Sequence, residues 1–311
     1  MDQMRVTVTG ATGLIGRALI GALQRRGAEV TVLSRDAERA RRRLADAGVE
    51  PVEAFDWDLL GEAAPAAALE GSDAIAHLAG ENVAQRWSEE SKRAIRESRV
   101  TGTRNLLAGV AATQGRPRAL VSSSAIGYYG AHGEEPLDED APPGGDFLAK
   151  VCVEWEAEAA KASALGLRVV CVRTGVVLDK DGGALEKMLP PFKLGVGGPV
   201  ASGRQYISWV HRDDLVGIYL AALQDERWSG PVNATAPEPV SNRDFSHALG
   251  RALHRPALLP VPGAALALLY GEMAEIVTKG ARVMPAKPLV LGYEFRHAAL
   301  GEALAAALSS S

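Results

Sequence analysis

Cysteine is nearly missing: Cys152 and Cys171 are the two among 311 residues, and aromatic residues reach only 5%. The two thiols follow no redox or metal-ligand spacing, so the sequence predicts small buried hydrophobes in a reducing compartment and no metal centre. A basic excess is missing too. Lys and Arg total 34 against 38 Asp and Glu, a net charge of -4. A surface that neutralises phosphates would be basic, which excludes a general nucleic-acid binder. No stretch approaches the roughly 18 apolar residues of a membrane span, and the opening run "VTVTG" is too short and too polar for a signal peptide. The expectation is a cytoplasmic protein with a small-molecule partner, and with neither nucleic acid nor membrane as partner. No pattern fixes an oligomeric state.

What is present is an alternation. "RVTVTG", "EVTVLSR", "SDAIAHLAG", "RALVSSSAIGYYG" and "LRVVCVRTGVVL" are β-branched or apolar runs. Between them lie helical patterns: "IGRALIGALQRRG", "DAERARRRLADAG" with Asp36 as its cap, a long segment from Ser88, and "DFLAKVCVEWEAE". Short strands alternating with helices predict a parallel sheet covered on both faces. After residue 178 the pattern changes. "KLGVGGPVASGRQ" lacks periodicity and reads as a mobile loop over a site, "YISWVHRDDLVGIYLAALQ" resumes strand then helix, and the chain from residue 234 reads as helical with Pro-rich joints. The expected fold is therefore α/β, a doubly wound parallel sheet of Rossmann type with a smaller, mainly helical C-terminal substrate lobe. The nucleotide-binding domain is expected over 1–178 with 204–233 returning to it, and the lobe over 179–203 and 234–311.

"TGATGLIG" sets Gly10, Gly13 and Gly16 between the first strand and the first helix. Gly10 permits the tight turn, Gly13 lets backbone approach a pyrophosphate, and Gly16 lets helix and strand pack closely. Thr12, Leu14 and Ile15 complete the loop, whose helix N-terminus offers amides and partial positive charge. The second strand ends in Ser34 and Arg35 where an acid would hold the ribose 2′-hydroxyl of NAD. A guanidinium beside a hydroxyl suits a 2′-phosphate, so the cofactor expected is NADP. Asp36, one place later, reads as a helix cap.

These features resemble the extended short-chain dehydrogenase/reductase superfamily of nucleotide-sugar epimerases and dehydratases. "HLAG" (77–80) is similar to its segment under adenine and ribose, and "SRVTGTRNLL" (98–107) to its Asn-Val-x-Gly-Thr helix motif, with Arg99 in place of Asn. "VSSSAIGYYG" resembles its Ser-rich strand end, "RTGVVL" its segment near the nicotinamide, and "GRQYISWVHRDDL" its late strand and helix, which Asp213 and Asp214 begin. More narrowly, "LAGENVAQRW", "DFLAKVCVEWE" and "RVMPAKPLVLGYEFRH" look like an atypical epimerase-like subgroup, labelled nucleoside-diphosphate-sugar epimerase or cell-division inhibitor of the SulA type. With the loop residues, the resemblance implies cofactor contacts from Trp57, Asp58, Leu78, Ala79, Gly80, Glu81, Arg99, Ser122, Lys150 and Val176.

The superfamily pairs Tyr and Lys one helical turn apart, with a Ser on the preceding strand. Here Lys150 stands in the helix, Ser122 to Ser124 supply hydroxyls, and Asp146 stands where tyrosine belongs. A carboxylate with an ordinary pKa near 4 is ionised at neutral pH and cannot replace a phenol as proton donor. Asp146 is read as the helix cap, Lys150 as a retained ribose clamp, Ser124 as the catalytic hydroxyl, and Tyr128, then Tyr129, as substitute proton donors. Glu81 and Arg86 line the cleft or form a surface pair, His77 is read as a packed histidine, and His211 as a strand-end hydrogen bonder. The function expected is an NADP(H)-dependent oxidoreductase or epimerase-like protein acting on a polar, sugar-like small molecule. The alternative is a non-catalytic NADP(H)-binding sensor or scaffold.

Overall fold

The computed structural model describes residues 4–309, the side chain of Leu269 excepted. The first half runs β1 (Arg5–Thr9), α1 (Leu14–Gln24), β2 (Glu29–Ser34), α2 (Ala37–Asp46), β3 (Glu53–Asp56), β4 (Ala74–His77), α3 (Glu89–Ala112), β5 (Ala119–Ala125), β6 (Pro136–Leu137) and α4 (Phe147–Ala160). Then come β7 (Arg168–Thr174), β8 (Val176–Leu178), α5 (Gly183–Lys193), β9 (Tyr206–Ile207), β10 (Trp209–His211), α6 (Arg212–Gln224) and β11 (Gly230–Ala234). The chain ends with β12 (Val240–Ser241), α7 (Asn242–Ala252), α8 (Gly263–Tyr270), α9 (Ala274–Thr278), β13 (Arg282–Val283), α10 (Ala286–Val290) and α11 (Leu300–Ser309).

Seven strands form one parallel sheet in the order β11-β7-β5-β4-β1-β2-β3. The order reverses between β1 and β4, which opens a crevice at the carboxyl ends of the strands, where open α/β sheets bind ligands. Side-chain alternation distributes the core to two faces. Val6, Val8, Ala74, Ala76, Val121, Val170 and Val172 pack with α1, α2 and α6, whereas Ile75, Leu120 and Cys171 pack with α3 and the end of α4. The doubly wound sheet read from the sequence is present.

Three local readings change. "PVEAFDWD" holds a strand, β3, that its acidic and Ala-rich surroundings concealed. "LRVVCVRTGVVL" is two strands broken at Gly175; β8 leaves the sheet to pair with β10. A Cβ at Gly175 would lie 2.5 Å from the Ser208 carbonyl oxygen, so the break needs a residue without a side chain. The C-terminal part is not helical throughout, since β12 pairs with β9 and β13 with β6.

The C-terminal segment is fastened by buried polar groups. Asp214, fully buried at the start of α6, accepts from the Arg296 and His297 amides at 2.8 and 3.0 Å. Tyr293 donates its hydroxyl to the Asp214 carbonyl at 2.9 Å. Asp214→Ala would leave two part-buried amides without acceptors, so it is expected to cost about 1–3 kcal/mol. Denaturant unfolding measures the loss, and hydrogen exchange at Arg296 and His297 should quicken more than exchange at β1.

Candidate functional site

The loop between β1 and α1 is built as the glycines require. Gly10 has φ +69°, and a Cβ there would sit 2.7 Å from Leu78 backbone; a Cβ at Gly16 would overlap Gly10 and Ala11. The Gly13 amide donates to the Gly10 carbonyl at 3.1 Å, and Gly13 begins α1 with neither a side-chain cap nor an acid in the first turn. The loop thus presses against the end of β4 and points the free amides of Leu14, Ile15 and Gly16 at the crevice, an anion-binding arrangement. Thr12 is half-buried in the same turn.

At the end of β2, Arg35 is exposed and has no ion-pair partner among the described residues, and Ser34 is half-buried beside it. Asp36 is the cap of α2, accepting from the Arg39 amide at 2.8 Å. The Trp57 indole turns into the core with Leu33 and Ile75 and donates to the Glu62 carbonyl at 3.0 Å, so it offers a ligand no ring face. Asp58 stays exposed and accepts from the Leu60 amide.

A cavity of ≈ 250 Å³ lies along the carboxyl ends of β4 and β5. Of the residues singled out in the sequence it gathers Ile15, Leu78, Gly80, Arg99 and Ser124. Arg99 donates to the Glu81 and Ile95 carbonyls, both at 3.0 Å, and lies 5.1 Å from the Trp155 ring; burial pulls its pKa below the ordinary guanidinium range. Gly80 makes room for it, because a Cβ there would meet the guanidinium at 3.2 Å. The Ala79 amide donates to Thr9 Oγ1, while Glu81 is exposed.

Four residues singled out in the sequence stand apart from this cavity. Lys150 is exposed and stands outside the cavity. The face that α4 turns to the cavity is Leu148, Val151, Cys152 and Trp155, and at 100° per residue Lys150 lies about 200° from Leu148, on the opposite side. Tyr128 lies in a separate groove of ≈ 570 Å³ between α4 and β11, its ring 3.4 Å from the Arg173 guanidinium. Ser122 points into the sheet's buried face; Ser123 and Ser124 reach the cavity instead. Val176 packs with the core around Trp209, and Thr174 takes the place at the cavity wall.

The i, i+4 pair facing the cavity is therefore Leu148 and Cys152, one apolar and one a neutral thiol. Burial pushes the Cys152 thiol up to about 12, so it is protonated at neutral pH. Asp146 caps α4, accepting from the Ala149 amide at 2.9 Å, as read. Ser124 donates to Glu156 at 2.6 Å, and Glu156 is gripped by Arg173 through two bonds of 2.8 Å. Ser123 shares a 2.6 Å bond with the Tyr219 hydroxyl, whose pKa burial raises. Tyr129 is buried, bonded to Arg173 and Asn233, and held at a pKa of about 12 by desolvation. Val83, Trp155, Leu215 and Tyr219 escaped the sequence reading; their helical or loop positions carried no polar signal. Arg86 and Glu81 form no pair with each other among the described residues; Arg86 lies beside Gly271.

His77 is a packed histidine. It is fully buried between Thr9 Oγ1 at 2.8 Å and Thr103 Oγ1 at 3.1 Å, and Trp155 Nε1 donates to the same Thr103 hydroxyl. His211 caps α6 by accepting from the Asp213 amide at 3.1 Å.

A family model described as the NAD dependent epimerase/dehydratase family matches residues 6–234, and a domain of unknown function (DUF1731) matches 261–307. An Arabidopsis thaliana protein described as "Epimerase family protein SDR39U1 homolog, chloroplastic" is 41% identical over 98% of this chain and 87% of its own. The Bacillus subtilis epimerase family protein YfhF is 36% identical over 97% of each. The crystal structure of human epimerase family protein SDR39U1 (isoform2) with NADPH superposes with a TM-score of 0.88 at 35% identity, covering 99% of this chain and 100% of that one.

Desolvation lowers the His77 pKa from 6.5 to about 4. The unfolded chain then takes up the proton before the folded one does. Stability from neutral His77 is complete above about pH 6.5 and is lost as pH falls toward 4, a loss of about 3 kcal/mol from this group. Urea titrations across that interval should show the slope, and His77→Asn should flatten it. Lys150→Ala, by contrast, should leave the dissociation constant for NADPH within about twofold, as expected of an exposed surface charge.

Proposed function

The chain belongs to the NAD dependent epimerase/dehydratase family, and from this premise we propose that it is an NADP(H)-dependent oxidoreductase or epimerase-like protein acting on a small molecule. The observation that carries the reading is the tight loop of Gly10, Gly13 and Gly16, where a Cβ at Gly10 or Gly16 would strike neighbouring backbone and which sets unpaired helix amides at the crevice. Arg35, free and exposed beside Ser34, supports NADP(H) over NAD(H), as does the NADPH held by the human relative. Bound there, the dinucleotide supplies or accepts a hydride.

The chain's own residues then have distinct tasks. The Leu14, Ile15 and Gly16 amides bind the pyrophosphate, Arg35 the 2′-phosphate, and Arg99 adds a fixed positive charge at the crevice. Ser124, its proton directed to Glu156, keeps its lone pairs for a hydroxyl of the reacting molecule. A proton arriving at Ser124 Oγ as hydride leaves has a carboxylate 2.6 Å beyond it. The walls around Ser124 are mostly apolar (Val83, Leu148, Val151, Trp155), which favours a substrate bringing one hydroxyl or carbonyl on an apolar body over the polar, sugar-like molecule the sequence suggested.

A second reading, an NADP(H)-binding sensor or scaffold without chemistry, is favoured by the α4 wall of Leu148 and Cys152, which brings neither a phenol nor a cation to the cavity. The two separate in one measurement. Single-turnover reduction of bound NADP+ across a panel of alcohols should be detectable for the native chain and fall about 100-fold in Ser124→Ala with NADP+ affinity unchanged. An inert native chain that holds NADPH would select the sensor. In either case Arg35→Ala is expected to weaken NADPH binding by about 10- to 100-fold, from loss of a charge-assisted contact of about 1.5–3 kcal/mol, and to leave NADH binding unchanged. An unaltered NADPH to NADH ratio would remove Arg35 from the site.

A further inference from the structure

The C-terminal part of the chain exposes an apolar face with a basic rim. Leu194 and Val196 project from the turn after α5, Leu258 and Leu259 from the turn after α7, and Leu268 and Ile276 from α8 and α9; Leu194, Leu258 and Leu268 are each more than three-quarters exposed, at 78%, 76% and 79%. The segments that carry these tips adjoin one another. Val261 donates to the Pro199 carbonyl at 2.8 Å, Ala201 donates to Val261 at 2.9 Å, and a Cβ on Gly263, the first residue of α8, would lie 3.5 Å from both Ala201 and Thr278. Arg255 Nε donates to the Lys193 carbonyl at 3.1 Å and ties the two turns together.

The rim is positive. Lys193, Arg251 and Arg255 are exposed, and among the described residues none has an acidic partner. The acids on the α8–α9 side, Glu272 and Glu275, are already paired with Lys92 and Lys279. A basic rim on a chain of net charge -4 is complementary to an anionic partner. It argues against a second copy of this chain, because a two-fold contact would set Lys193 and Arg255 against themselves. A protein partner would need a groove matched to widely spaced projecting tips, whereas a bilayer accepts them at any spacing.

We propose that this face docks on the surface of an anionic lipid bilayer. Among the described residues no helix is long and apolar enough to cross a membrane, so the contact is peripheral. The absence of a membrane partner expected from the sequence rested on the lack of a spanning run, which a peripheral contact does not require.

Vesicle sedimentation tests it with the full chain and with two double variants, Leu258→Glu/Leu259→Glu and Arg251→Glu/Arg255→Glu, each first shown to retain native NADPH binding. The native chain is expected to pellet with phosphatidylcholine vesicles containing about one-third phosphatidylglycerol, and not with phosphatidylcholine alone. Raising the salt from about 0.1 to 0.5 M should weaken binding, and each double variant should lower the partition coefficient at least about tenfold. The proposal is overturned if the native chain stays in the supernatant. It is also overturned if the leucine variant binds as well as native, or if sedimentation velocity shows a dimer that this variant dissociates.

Discussion

The pair of Arg173 and Glu156 is the centre of a buried network that joins distant parts of the chain. Arg173 is 3% exposed and Glu156 14%, and two 2.8 Å bonds join them between β7 and α4. A charge buried this deeply is tolerable when every donor finds an acceptor. Arg173 Nη1 donates to the Tyr129 hydroxyl and the Glu139 carbonyl. From there the network continues: Tyr129 donates to Asn233 on β11, and Asn233 donates to the Met284 carbonyl beyond β13. Glu139, its pKa raised by burial, accepts from the Asn233 and Lys287 amides. One ion pair thereby links the sheet, the helix that walls the cavity and the C-terminal segment, and it orients Ser124 through Glu156.

That pair also fixes the rotation of α4, which explains what the sequence concealed. "DFLAKVCVEWEAEA" is apolar around most of its circumference and carries two i, i+4 pairs that fit the expected spacing, Asp146 with Lys150 and Leu148 with Cys152. Local pattern favoured the polar pair. Tertiary contacts choose the other, because Trp155 bonds Thr103 and Glu156 bonds Arg173 and Ser124. The usable signal was Glu156, the helix carboxylate that follows Trp155 and faces an arginine in a buried strand. The phosphate loop, the caps at Asp36 and Asp146 and the packed His77 were legible, since each is set by neighbours close in sequence or by a strand's alternation. Strand β3 and the break at Gly175 were not, because pairing partners more than 15 residues away decide them.

The orientation of α4 has a chemical consequence. A wall with a phenol and an ammonium would hold a cofactor ribose by charge-assisted bonds and supply a proton. A wall of Leu148, Val151 and Cys152 can do neither; it excludes water and contributes shape. In such a surrounding the remaining polar groups act over a lower local dielectric, so Arg99 and the Ser124–Glu156 contact weigh more than they would at an open surface. The low polarity also limits what can bind: a polyhydroxylated ligand would lose hydrogen bonds to water against walls that return few of them. The geometry at the crevice therefore leaves the β1–α1 loop and an unpaired Arg35 in place, with Ser124 as the cavity hydroxyl that the buried ion pair orients.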